Sequence, residues 1–87
     1  MAITVELTYD MAKAAGERRF EVDAVATVAQ AVEAAGRHLS GKGVEFAALS
    51  RTAAIAVNGV LVNHKKGMKT PLADGDTLTF VKAAAGG

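Results

Sequence analysis

The chain has 87 residues, about the size of one small domain whose folding buries roughly 60–65% of its unfolded surface. Ten basic and nine acidic side chains leave a formal charge of +1, which gives no electrostatic footprint for nucleic acid. The absence of cysteine excludes disulfides, zinc–thiolate sites and any intrinsic thiol chemistry.

With 51% hydrophobic and 22% charged residues the composition is globular, although many of the apolar residues are alanines, so the large core candidates are few. No apolar run approaches the roughly 20 residues that cross a bilayer. The N-terminus has no signal-peptide pattern, so the expected compartment is the cytoplasm.

From Ile3 to Tyr9 apolar and polar residues alternate without a break. That pattern predicts a half-buried strand with Ile3, Val5, Leu7 and Tyr9 on the core face. Asp10 to Gly16 reads as a hairpin loop. Arg19 to Asp23 alternates again, with Phe20 and Val22 inward, and pairs antiparallel with the first strand. Thr27-Val28-Ala29-Gln30 fits the capping box that opens a helix. Val25, Val28, Val32, Ala35 and Leu39, spaced 3, 4, 3 and 4 apart, make one apolar stripe that covers the sheet. Glu33 and Arg37 suit a surface pair.

Ser40-Gly41-Lys42-Gly43 ends the helix, and Val44, Phe46 and Leu49 form a short helical plug. Ala54 to Val57 and Val60 to Val62 are two strands joined by Asn58-Gly59, a strong hairpin signal because both residues tolerate positive φ. His64 to Pro71 is a polar loop. Leu72 anchors in the core, and Asp74-Gly75-Asp76 makes a tight turn. Thr77 to Val81 is the last strand, with Leu78 and Phe80 inward. Thr4, Glu6, Ala54, Ala56, Thr79 and Val81 fall on the outward face.

The expected fold is α+β: a mixed five-stranded sheet with one main helix packed on one face. If the first and last strands are parallel central neighbours, that is the β-grasp, or ubiquitin-like, fold. Residues 1–82 form the domain. Residues 83–87 are expected to be a flexible tail: Ala83, Ala84, Ala85, Gly86 and Gly87. A run of alanine and glycine can end as a frayed terminus. It can also be an arm, because glycine lacks a Cβ and fits a narrow channel, presenting its carboxylate to another enzyme.

Three features taken together carry a resemblance: Ile55-Ala56-Val57-Asn58-Gly59, the run from Leu72 to Phe80, and a terminal Gly86-Gly87. In this order they resemble the ubiquitin-like sulfur carriers of the MoaD/ThiS family. The segment from Arg37 to Ala53 is longer than in the thiamine-pathway carriers, so the chain is more similar to carriers of the molybdopterin or cysteine-pathway type. It departs from the family at Ala83-Ala84-Ala85, where a bulkier or proline-containing arm is common.

The resemblance implies a carrier protein, not an enzyme; at most it is the non-catalytic small subunit of a sulfurtransferase such as molybdopterin synthase. An E1-like adenylating enzyme, using ATP and Mg²⁺, would activate the Gly87 carboxylate. A sulfur donor would convert it to a thiocarboxylate, and a downstream sulfur-accepting enzyme, molybdopterin synthase large subunit-like or related, would receive it. The carrier binds no cofactor itself. Gly86, Ala85, Ala84, Val81 and Thr79 would contact the partners. Two alternatives stay open: a protein modifier conjugated through Gly87, and a β-grasp interaction module without that chemistry.

No other feature carries chemistry. His64 sits beside two lysines in a loop, and His38 reads as an outward residue at a helix end, where charge suits the dipole. Two histidines 26 positions apart, with no cysteine, make no metal site. Asp74 and Asp76 lack the further oxygen ligands calcium needs. Lys65, Lys66 and Lys69 read as a solvated loop able to steer an acidic partner. Gly41-Lys42-Gly43 is too short for a phosphate loop.

Overall fold

The computed structural model describes residues 2–42, 53–62 and 67–82. In chain order these form β1 (Ala2–Glu6), α1 (Tyr9–Ala15), β2 (Arg19–Asp23), α2 (Val28–Ser40), β3 (Ala53–Val57), β4 (Val60–Leu61), a 3₁₀ turn (Gly67–Lys69) and β5 (Thr77–Lys82). The sheet runs β2-β1-β5-β3-β4, with β1 and β5 parallel and the other neighbours antiparallel. The first and last strands are therefore central neighbours. The expected helical plug at Val44, Phe46 and Leu49 lies outside the described residues, as do His64, Lys65 and Lys66.

Alternation places Ile3, Val5, Leu78, Phe80 and Ile55 on one face of the sheet, all buried. Helix α2 covers that face with Val28, Ala31, Ala35 and Leu39, while Val32, at the margin of the predicted stripe, is half-buried. The capping box forms: Thr27 Oγ1 accepts from the Gln30 N–H at 3.3 Å. Gln30 Oε1 reaches back to the Ala26 N–H at 2.6 Å, one residue before the cap. Arg37 and Glu33 pair at 2.8 Å on the solvent side.

The hairpin loop expected from Asp10 to Gly16 is instead helix α1. Thr8 caps it by accepting from the Met11 N–H at 3.1 Å, and Gly16 ends it in the left-handed conformation at φ 77°. The strand period consequently breaks at Leu7. Tyr9, expected in the core, turns outward and is 78% exposed, and Met11 takes the buried place instead. One helical turn rotates the apolar position from the alternating register to the helical one. Phe20, expected inward, is half-buried at the sheet edge.

The turn before β5 is built from aspartates. Gly75 sits at φ 87°, a conformation that costs a side chain strain. Asp74 Oδ1 accepts from the Ala2 N–H at 2.7 Å, joining the turn to the start of β1. Asp76 Oδ2 accepts from the Ala73 N–H at 2.8 Å, and its Oδ1 from Asn58 Nδ2 at 3.0 Å. Asn58, at φ 50° in the β3–β4 turn, in turn accepts from the Thr77 N–H at 2.9 Å. These donors hold the Asp76 carboxyl below its ordinary pKa, the Ala73 N–H first and Asn58 second.

Met11→Ala is expected to lower stability by about 2–5 kcal/mol, as deletion of a fully buried large side chain does. Tyr9→Ala should stay within about 0.5 kcal/mol of the parent in the same denaturant titration. Asp76 supplies a pH test. A carboxyl with a lowered folded pKa stabilises above its unfolded value, and that contribution is lost as pH falls through the folded one. Asp76→Asn should therefore melt below the parent at neutral pH, and the gap should narrow as pH falls through the lowered folded pKa and the parent carboxyl is neutralised too.

Candidate functional site

Gly87, Gly86, Ala85 and Ala84 lie outside the described residues. The other two expected contact residues, Thr79 and Val81, lie on β5, which leads to them. Strand β5 is the central strand of the sheet. It is hydrogen-bonded to β1 on one side and to β3 on the other, and its first residue is fastened by Asn58.

The sheet face away from α2 is assembled by register. Arg19 opposes Glu6, Glu6 opposes Thr79, Thr79 opposes Ala56, and Ala56 opposes Leu61. These five residues from five strands make one row across the sheet. Thr79 Oγ1 donates to Glu6 Oε1 at 3.0 Å, and Arg19 Nη1 stands 3.9 Å from Glu6 Oε2. One pair further on, Ala54 opposes Val81, which is 39% exposed. The face is thus divided. Its β1–β2 side is polar, and the side from the end of β5 across β3 to β4 presents Val81, Ala54 and the 65%-exposed Leu61.

Ala56 belongs to this face as expected, but it is only 5% exposed, so it contributes flatness more than contact area. A small methyl between larger neighbours is shaded by them.

A cleft of about 250 Å³ lies beside Thr79, lined by Glu6, Leu7, Arg18 and Arg19. A second cleft, of about 510 Å³, lies between α1 and the start of β2, where Tyr9, Lys13 and Arg18 stand over Leu7 and Ala12. His38 is exposed in the last turn of α2, as expected, and it is also engaged by neighbours. Its ring stacks on Phe20 with centroids 4.0 Å apart, and its Nε2 lies 2.7 Å from Glu17 Oε2. Lys42 Nζ is 3.0 Å from the same oxygen. The hydrogen bonds from His38 and then Lys42 hold the Glu17 carboxyl below its ordinary pKa.

Among the described residues no three His, Asp or Glu side chains gather as a metal site would require. No helix there is long and apolar enough to cross a membrane. The one feature of this face that the sequence did not disclose is the Arg19–Glu6–Thr79 row. Its members meet only through two registers, the antiparallel pairing of β1 with β2 for Arg19 and Glu6 and the parallel pairing of β1 with β5 for Glu6 and Thr79.

A mixed sheet with parallel central first and last strands, clasping one long helix, defines a β-grasp, ubiquitin-like protein. The chain belongs to the ThiS family, whose model matches residues 5–87. That family is one of small ubiquitin-like carriers, not of enzymes. Among solved structures, the chain is similar to one in the BexX/CysO complex of Amycolatopsis orientalis, at 31% identity over 98% of this chain and 99% of that one, with a TM-score of 0.70.

SAMP1 from Haloferax volcanii matches at 24% identity over the whole of both chains, with a TM-score of 0.74. A chain in the complex of subunits 1 and 2 of the molybdopterin-converting factor from Helicobacter pylori matches at 23% over the whole of both, with a TM-score of 0.63. These last two likenesses show the fold. No curated protein matches the chain.

Proposed function

We propose that the chain is a cytoplasmic sulfur carrier that works through the carboxylate of Gly87. The observation that supports this most directly is the family match, which runs on through Gly86 and Gly87 instead of stopping at the end of β5. A carboxylate is a poor acyl donor because its charge repels nucleophiles. An E1-like enzyme with ATP and Mg²⁺ joins AMP to one carboxylate oxygen and releases pyrophosphate. The resulting mixed anhydride is uncharged at the carbonyl and has a good leaving group. A sulfur donor attacks that carbon, AMP departs, and a thiocarboxylate remains.

The carrier supplies no acid, base or metal to these steps, and binds no cofactor of its own. Its contribution is position. Gly86 keeps the approach narrow, since a Cβ is missing there. Ala84 and Ala85 add little bulk, and Thr79 and Val81 lie on the face that meets the partner. The downstream partner is a sulfur-accepting enzyme of a cofactor or metabolite pathway. Support for a protein partner comes from two complexes that each hold a chain similar to this one, that of subunits 1 and 2 of the molybdopterin-converting factor and that of BexX with CysO.

A second reading, conjugation of Gly87 to lysines of other proteins, is favoured by the likeness to a small archaeal modifier protein at 25% identity. Both readings share the adenylation step and divide at the acceptor.

Intact mass after incubation with ATP, Mg²⁺, a sulfide source and the host's E1-like enzyme tests the carrier reading. The expected gain is that of one oxygen replaced by sulfur, absent when Gly87 is deleted. No gain, with an enzyme shown to act on its own carrier, overturns it, and higher-mass conjugates in extract point to the modifier. Val81→Asp should leave stability within about 0.5 kcal/mol, as exposed positions allow, yet slow sulfur delivery to the acceptor enzyme. Delivery at the parent rate would remove Val81 from the partner-facing surface.

A further inference from the structure

The strand register sorts charge along the strand axis. At the end where β5 finishes, Lys82 opposes Ala53, Arg19 opposes Glu6, and the Leu7 N–H donates to the Arg18 carbonyl at 3.0 Å. Helix α1 with Lys13 follows β1 at that same end, and α2 brings Lys42 there, as its contact with Glu17 shows. At the other end Asp23 opposes Ala2, Asp74 accepts from the Ala2 N–H, and Asp76 begins the approach to β5. Among the described residues, the end at which β5 finishes therefore carries Lys13, Arg18, Arg19, Lys42 and Lys82 against Glu6, Asp10 and Glu17, a basic surplus, while the other end carries Asp23, Asp74 and Asp76 against Lys69.

The larger cleft lies at this basic end. Its floor is apolar, formed by Leu7 and Ala12, and the exposed ring of Tyr9 walls it. Lys13 and Arg18 stand at its rim, exposed and without an ion pair among the described residues. Glu17 also lines it, but His38 and Lys42 occupy that carboxylate. An apolar floor under two uncompensated cations matches a peptide segment better than a phosphate, which would find no use for Tyr9, Leu7 or Ala12.

We propose that this cleft docks an acidic segment of a partner protein, with an apolar side chain seated between Tyr9 and Leu7 and its neighbouring carboxylates on Lys13 and Arg18. That the partner is the enzyme receiving the C-terminal arm rests on the function proposed above; the cleft's preference for such a segment does not. Docking here orients the carrier with the start of the arm toward the partner. The acidic far end opposes the reverse approach to an acidic surface. Complementary charge of this kind acts mainly on encounter rate and orientation.

The test is a ¹H–¹⁵N NMR titration of the full chain with the blocked pentapeptide Glu-Asp-Leu-Asp-Glu. Amide shifts are expected at residues from Leu7 to Arg19, with binding about tenfold weaker at high salt. The double variant Lys13→Glu/Arg18→Glu, its fold verified by an unchanged spectrum elsewhere, should lose the response. Lys69→Glu, at the opposite end, should keep it. Tyr9→Ala should weaken it at unchanged charge. Three results overturn the proposal: no shifts with the peptide, equal shifts with inorganic phosphate, or undiminished binding by the charge-reversed variant. None of these readouts involves activation of Gly87, so a failed mass test leaves this result standing and the reverse holds too.

Discussion

The parallel pairing of β1 with β5 is the constraint on which the rest of the molecule depends. Parallel neighbours cannot be joined by a tight turn, so a long connection has to cross between them. Here that connection is almost everything else in the chain. It carries β2, which closes one edge, then α2, which covers one face, then β3 and β4, which close the other edge. The pairing also brings Glu6 to Thr79 and Thr4 to Thr77, and so decides which side chains share the open face. If β5 slipped by one residue, Leu78 and Phe80 would leave the core and Thr79 and Val81 would enter it. The Asp74 and Asp76 hydrogen bonds guard against this, because they fasten the chain just before β5 to Ala2, Ala73 and Asn58.

The body and the arm divide the work cleanly. The body has an apolar core with no buried charged or polar residue among the described ones, and the ion pairs among those residues join side chains that are at least partly exposed. A carrier needs such a body to be inert. It has to survive transfer between enzymes without offering a competing nucleophile, and the absence of cysteine serves the same end. The selectivity then falls to the surface. In the function proposed above, the open face contributes flat apolar area and the basic end contributes direction.

Most of this fold was legible in the sequence because its signals are local. The alternation in β1, the Thr27–Gln30 cap, the 3-4 stripe of α2, the Asn58-Gly59 turn and the Asp-Gly-Asp turn each act over a few residues. The error at Tyr9 is equally local in origin. Thr8 as a cap, Asp10 in the first turn and Gly16 as a left-handed stop were all present as helix signals. They were outweighed by an alternating pattern that extends two residues too far. Met11 decides the matter, since the helix carries its side chain fully into the core. The Arg19–Glu6–Thr79 row and the His38 clasp were not legible by pattern. They exist only through registers and helix placement, and His38 in particular reads as a solvent residue until Phe20 and Glu17 are folded against it.

The position of β5 has a consequence for how the protein is made. Synthesis proceeds from β1 onward, so the two outer pairs, β2 with β1 and β3 with β4, are complete before the strand that joins them exists. Until Lys82 has been added, the chain consists of two separate hairpins and a helix with only half a sheet to cover. The non-local pairing that closes the sheet comes last and carries the highest loop-closure cost. A shortened chain therefore offers no stable imitation of the finished surface. Only a chain extended through Lys82 can present the complete face.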